Sequence, residues 1–270
     1  MNIHPSAIID RAAQLGEAVT VAAGAVVEAG AVVGAGTVIG PRAVVMGRCV
    51  LGCDVRIHAG AVIGDIPQDL GFKDVESRVV IGDRVTLREG VTVHRGTQAG
   101  SVTTIGDDCY LMANSHVAHN TALGRKVILA NGVLLAGYVT IGDGAFISGN
   151  AVIHQFCRVG RLAMVGGLSG ISKDVPPFCM TRSTGLNTVN GLNVVGLRRN
   201  GFSPEQRRAV KACFDLLYRS GLNVGQAVAA MRERADDALA AEWADFIAAA
   251  RRGICKGPSR TGSGGDDDDG

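Results

Sequence analysis

The sequence predicts a parallel β-helix, a stack of triangular coils built from very short strands, followed by a small α-helical domain. Three observations predict it. A large aliphatic residue returns at every sixth position from Ile3 onward, and a small residue usually follows it. The frame survives two interruptions, because each spans a multiple of six positions. Glycine is abundant at 38 residues while aromatics make up only 4%, as narrow corners around a thin aliphatic interior demand.

The elements follow in order. Ile3, Ile9, Leu15, Val21, Val27, Val33, Ile39, Val45, Leu51, Ile57 and Ile63 hold the aliphatic position. After residues 64–80 it returns at Ile81, Leu87 and Val93, and after 99–104 it runs from Ile105 to Ile171. Each hexapeptide supplies a strand and a corner, and three of them close one coil. Each coil covers the apolar face of the coil before it. The β-helix is thus expected over 1–178, with 64–80 and 99–104 as loops leaving a rigid scaffold, where binding residues often stand. Residues 179–202 read as an irregular connection. Ser203 as N-cap, Pro204 at the first helical position and Gln206 completing a capping box open an α-helical domain over 203–255. Apolar spacing places its helices near 204–219, 223–235 and 237–252. The tail, 256–270, is low in complexity, ends in a four-aspartate run, and is expected to be disordered.

Composition narrows the function classes. A net charge of +2 gives no global electrostatic case for nucleic acid. No apolar stretch reaches the ~18–20 residues of a membrane span, and no basic-then-apolar signal segment opens the chain. Cys49, Cys53, Cys109, Cys157, Cys179, Cys213 and Cys255 form no CxxC or CxxH spacing. They read as reduced, mostly buried thiols of a cytoplasmic protein, not zinc ligands.

The candidate chemistry lies between 117 and 167. Val117, Leu135 and Ile153 begin hexapeptides eighteen residues apart. They are therefore expected on one face in successive coils, roughly 5 Å apart. That face carries His119, then Gly137 and Tyr138, then His154 and Gln155, while His116 is placed on the neighbouring face. Two histidines on one wall suit acid–base catalysis, since imidazole titrates near neutral pH. A metal would require a third ligand at matched spacing.

The strings P-Q-D-L (67–70), I-G-D-R (81–84), V-T-V-H-R-G-T (91–97), V-A-H (117–119), L-A-G (135–137), H-Q-F-C (154–157), M-V-G-G (164–167), D-V-P-P (174–177) and R-R-N-G-F-S (198–203) occur in this order. Together they resemble the acyl-carrier-protein-dependent UDP-N-acetylglucosamine O-acyltransferases, which begin lipid A synthesis, over essentially residues 1–255. The resemblance implies a left-handed β-helix and a homotrimer with active sites between subunits. It implies that His119 is the general base and that the backbone N–H of Gly137 stabilises the oxyanion. Gln68 and Asp69 match sugar-contacting residues, and His154 and Gln155 match residues positioning sugar and acyl donor. His116 and Tyr138 join the substrate-binding set. Gly167 matches the position limiting acyl length, where glycine leaves room for a longer chain. Asn193 and Arg199 match residues near the nucleotide, and Arg158, Arg161 and Lys173 are candidates to receive the acidic carrier protein. No cofactor is implied beyond the acyl donor on the phosphopantetheine of acyl carrier protein.

Five positions depart from the family pattern. Tyr138 stands where histidine is usual, and Asn120 where aspartate often follows the catalytic histidine. Val195 replaces a glutamate, Asn200 the second of paired arginines, and Gly71 a lysine. Three other readings stay open on the sequence: N-acylation of a 3-amino UDP-sugar, an acetyl-CoA-dependent sugar acetyltransferase, and a non-enzymatic assembly module.

Overall fold

The computed structural model describes residues 1–183, 185–234 and 237–258. Most strands are two residues long, and the three sheets pair in parallel along the prism except for the last pair of one of them. One face starts at Asn2–Ile3 and has eleven strands, the second starts at Ile8–Ile9 and has nine, and the third starts at Gln14–Leu15 and has eight. The two-residue strands consist of an outward residue followed by the inward aliphatic, as in His116–Val117, Leu134–Leu135 and Val152–Ile153. Val117 pairs with Leu135 and Leu135 with Ile153, the eighteen-residue register the repeat predicts. The inward column, including Val117, Leu135, Ile141, Ile147 and Ile153, is sealed from solvent. Each such side chain contributes roughly 1.5–3 kcal/mol by burial.

The strand position corrects one expectation. The aliphatic ends its strand, so the corner follows it and the preceding residue lies on the same face. His116 therefore shares a strand and a face with Val117, and does not lie on the neighbouring wall.

The interruptions are real, but the first is shorter than expected and the second is displaced toward the N-terminus without being shorter. The strands Val62–Asp65 and Arg78–Ile81 extend into the first, leaving 66–77 as loop. The second covers 95–101, because Thr92–His94 ends its strand at His94 and Val102–Ile105 resumes pairing. Register is preserved across both: Ile63 pairs with Val93, and Val93 with Val117.

The 179–202 connection is not irregular. Cys179–Thr181 and Val189–Leu192 form an antiparallel pair that extends the eleven-stranded face, and helix α1 follows at Val194–Arg199. Helices α2 (Pro204–Tyr218), α3 (Val224–Arg232) and α4 (Ala238–Ala248) make the end domain. The Ser203/Gln206 capping box is present, and Asn223/Gln226 forms a second. Lys256 bridges to Thr188, so paired chain continues past the expected start of the tail. Residues 259–270, with the aspartate run, lie outside the described residues.

The junction between β-helix and end domain is built on two arginines expected to face a partner. Arg158 pairs with buried Asp174 at 2.7 Å, donates to the Phe246 carbonyl at 2.6 Å, and lies 4.3 Å from the Phe246 ring centre. Arg161 forks onto Glu242 at 3.0 and 2.7 Å and stacks over Phe178 and Phe202. Both are committed to docking α4, which removes them as free receptors for an acidic protein. Six of the seven cysteines are buried and only Cys53 is exposed. Burial pushes the Cys49 and Cys109 thiols up to about 12, so they are poor nucleophiles.

Candidate active site

The site is a corner read vertically. Where the chain leaves the nine-stranded face, successive coils place His119, Gly137 and Gln155 in one column and Asn120, Tyr138 and Phe156 in the next. The second column adopts left-handed backbone throughout, with φ of 59°, 61° and 64°. Asparagine tolerates that region, whereas tyrosine and phenylalanine rarely enter it unless the surroundings hold them there. Here the neighbouring coils do so: the Tyr138 N–H donates to the His119 carbonyl at 3.0 Å and the Phe156 N–H to the Gly137 carbonyl at 3.1 Å.

Gly137 is required sterically. A Cβ at this residue would overlap the His119 ring, so the imidazole lies directly against the glycine backbone. The Gly137 N–H makes no hydrogen bond among the described residues. At equivalent corners on another edge of the prism that N–H is capped by an aspartate one coil up. Asp83 caps Cys53 at 2.8 Å, Asp107 caps Asp83 at 2.9 Å and Asp143 caps Arg125 at 2.9 Å. Above Gly137 stands Gln155, which leaves the donor free beside the imidazole.

Hydrogen bonding fixes the His119 tautomer. The backbone N–H of Thr97 can only donate, and it meets the Asn120 amide at 3.0 Å, which identifies that atom as the oxygen Oδ1. The same Oδ1 lies 2.9 Å from His119 Nδ1. Nδ1 must therefore carry the proton, and Nε2 is the basic nitrogen of the neutral ring. Thr97 Oγ1 also donates to Oδ1 at 3.0 Å, and the Tyr138 hydroxyl lies 3.0 Å from Thr97 Oγ1. Tyr138 packs edge-to-face on His119 at 5.3 Å and stacks on Phe156 at 4.8 Å.

His94 and His116 stand beside this pair, with ring centres 4.8 Å apart. Burial pushes both imidazoles below their ordinary range, His116 to about 4, so neither carries charge at neutral pH. His116 Nδ1 hydrogen-bonds the Thr92 hydroxyl at 2.7 Å, whereas His94 Nδ1 is buried without a partner among the described residues. Arg95, only 6% exposed, anchors the 66–77 loop through the Val75 carbonyl at 2.6 Å and Asp74 at 2.7 Å, with its guanidinium over the Phe72 ring.

The other candidates are distributed around this centre. His154 and Gln155 are exposed at the corner one coil above Gly137. His154 Nδ1 donates to the Gln155 carbonyl at 3.1 Å. Gln68 and Asp69 sit on the 66–77 loop, where Asp69 Oδ1 accepts from Gly71 N–H at 2.8 Å. Gly167 lies in a corner one coil above Gly149, so that two glycines leave a strip without side chains. Asn193 caps α1: its Oδ1 accepts from Gly196 N–H at 2.9 Å and its Nδ2 donates to the Leu162 carbonyl at 2.8 Å. Both ends of its amide are thus spent on seating the helix that carries Arg199, which is exposed and unpaired among the described residues. Thr97, His94, Arg95 and Phe156 were not among the sequence candidates. Their signal was present in the H-R-G-T and H-Q-F-C strings, but repeat geometry alone gives no reason to join residue 97 to residue 120 across a loop.

The profile of bacterial transferase hexapeptides (six repeats) matches residues 30–65 and 103–137, and the profile of domain 2 of UDP-N-acetylglucosamine O-acyltransferase matches 174–255. A relative from Anaeromyxobacter sp. (strain Fw109-5), an acyl-[acyl-carrier-protein]–UDP-N-acetylglucosamine O-acyltransferase, is 43% identical over 258 residues, covering 95% of this chain and 100% of the relative. The chain belongs to the UDP-N-acetylglucosamine O-acyltransferase family. The acyltransferase of Campylobacter concisus is 38% identical, covering 94% of this chain and 97% of its own. The solved structure of the Francisella novicida UDP-N-acetylglucosamine acyltransferase superposes with a TM-score of 0.92 at 35% identity over 95% of each chain. That from Campylobacter jejuni gives 0.89 at 37% identity, covering 94% of this chain and 99% of the other. The prism is the left-handed β-helix of this acyltransferase family. No helix among the described residues is long and apolar enough to cross a membrane.

Proposed function

We propose that His119 is the general base, and the Gly137 N–H the oxyanion donor, in transfer of an acyl chain from acyl carrier protein to the 3-hydroxyl of UDP-N-acetylglucosamine, the first step of lipid A synthesis. The observation that carries this reading is the His119 tautomer: the proton sits on Nδ1, and Nε2 is free beside an uncapped N–H. Nε2 takes the proton of the sugar hydroxyl as its oxygen attacks the thioester carbonyl. The tetrahedral oxyanion is met by the Gly137 N–H. Collapse breaks the carbon–sulfur bond, and the departing thiolate of the phosphopantetheine recovers the proton from the imidazolium.

Arg199 is proposed to meet the diphosphate, for which an unpaired guanidinium fork is suited. His154 and Gln155 are proposed to position sugar and acyl chain. Leu134, Val152 and Phe156 lie beside the site with 45–50% of their surface exposed. We read them as the wall that a second copy closes in a homotrimer, bringing the Asp69 loop of one subunit toward the His119 corner of another.

The test of the reaction is a mass-spectrometric screen. UDP-N-acetylglucosamine and its 3-amino analogue are each offered with 3-hydroxyacyl carrier proteins of several lengths and with acyl-CoA. The expected product is the 3-O-acyl sugar formed from the carrier protein, with longer chains preferred because residue 167 has no side chain. Product only with the amino sugar moves the enzyme to amide formation, and product only with acyl-CoA excludes the carrier protein as donor.

The carrier protein needs a basic surface, and α1 and α2 offer one. Leu192, Val194, Leu197 and Pro204 form an apolar groove edged by Arg207, Arg208 and Lys211, with Arg198 and Arg199 on the adjoining helix. Glu205 and Asp215 offset only part of this charge, through Arg208 and Lys211. Arg208→Glu with Lys211→Glu is expected to raise KM for the acyl carrier protein several-fold and to spare KM for the sugar, with the difference shrinking at high salt. An unchanged KM places docking elsewhere.

A further inference from the structure

We propose that Tyr138 and Thr97 are positioning residues that act on His119 through Asn120, locking the Asn120 amide so that His119 keeps the tautomer able to act as a base. The proposal rests on His119 being the general base.

The need for such a lock follows from Asn120 itself. A carboxylate at this position presents oxygens whichever way it turns, so it always accepts from His119 Nδ1. An amide has one accepting end and one donating end. If Asn120 flips, its Nδ2 faces His119 Nδ1. The ring must then accept there, the proton moves to Nε2, and the nitrogen beside the site can no longer take a proton.

Thr97 opposes that flip twice. Its backbone N–H and its hydroxyl are both aimed at Oδ1, each at 3.0 Å, and a flipped amide would present a donor to both. The hydroxyl could rotate to escape the conflict, but Tyr138 restrains it. With the Thr97 proton given to Oδ1, the 3.0 Å contact to Tyr138 must be donated by the phenol. The chain runs in one direction: Tyr138 O–H to Thr97 Oγ1, Thr97 O–H to Asn120 Oδ1, with His119 Nδ1–H donating to the same oxygen. Tyr138 is itself held by its edge-to-face packing on His119 and its stacking on Phe156. Asn120 is fixed from behind by its own N–H, which donates to Thr103 Oγ1 at 2.8 Å. The phenol is thus engaged within the chain, whereas the family resemblance placed residue 138 among substrate contacts.

The test combines variants with two readouts. Tyr138→Phe and Thr97→Val are expected to lower kcat by roughly 3–10-fold, the scale of one hydrogen bond, and to leave KM for UDP-N-acetylglucosamine unchanged. Thr97→Ser, which keeps the hydroxyl, should retain most of the turnover. In an Asn120→Asp background, where no flip exists, Tyr138→Phe should cost less than about 2-fold, because neighbours in one network are non-additive. Nitrogen shifts of the His119 ring should show proton density moving from Nδ1 toward Nε2 in Tyr138→Phe and not in the Asn120→Asp pair. A raised sugar KM at constant kcat, or equal losses in both backgrounds, overturns the proposal in favour of substrate contact. His119→Ala run alongside reports on the base separately: if it stays active, the base assignment fails whatever Tyr138 does.

Discussion

His119→Ala is expected to lower kcat by roughly 10²–10⁴-fold, the range that a positioned general base supplies, with the fold unchanged. The side chain stands outside the aliphatic interior and lies half-buried over Gly137. Its removal opens no core cavity, and the coils above and below remain tied by backbone bonds such as Tyr138 N–H to the residue 119 carbonyl. Thermal unfolding and sedimentation should therefore match the parent while turnover collapses. The neighbours cannot substitute. His116 and His94 are held neutral by burial, His116 on its bond to Thr92, and the Tyr138 hydroxyl is engaged by Thr97. If His119→Ala retains most of its activity, the base assignment is wrong and the family reaction must proceed through another residue of this wall, with His154 the next to replace.

The repeat made the scaffold readable because it is a physical constraint. Every coil must offer an aliphatic residue to the one above, so Val117, Leu135 and Ile153 had to align, and the structure pairs them directly. The same frame placed His119, Gly137, Tyr138, His154 and Gln155 on one wall. It misplaced His116, since period six does not say whether the strand lies before or after its aliphatic. Loops carry no such period. The link from Thr97 to Asn120 and Tyr138, and the anchoring of the 66–77 loop by Arg95, depend on how two insertions fold back on the coil. The docking arginines were misread for a related reason. Arg158 and Arg161 look like solvated corner charges in a repeat, and only the arrival of α4 gives them Asp174, Glu242 and the Phe246 carbonyl. The hairpin 179–192 went unseen because its strands pair antiparallel and abandon the six-residue frame.

Gly137→Ala is expected to cost about 10²-fold in kcat, although alanine keeps the N–H proposed to bind the oxyanion. The argument is steric. Gly137 does not need left-handed backbone, so alanine meets no conformational strain there. Its Cβ would instead occupy the volume of the His119 ring, touching Cε1 and Nε2. The backbone behind it is pinned by the bond from the Phe156 N–H and by the fully buried Leu135 next to the corner, so the imidazole has to move. Movement breaks the 2.9 Å bond to Asn120 and carries Nε2 away from the sugar hydroxyl. A displacement of about 1 Å at a reacting group can cost 10²-fold. The discriminating measurement is the pair of variants together. In a His119→Ala background the ring is absent, the added methyl has nothing to displace, and Gly137→Ala should add less than about 3-fold to the loss. A full additional loss there would mean that the alanine disturbs the N–H or the acyl chain directly, and would place the importance of residue 137 in the oxyanion contact and not in the seating of the base.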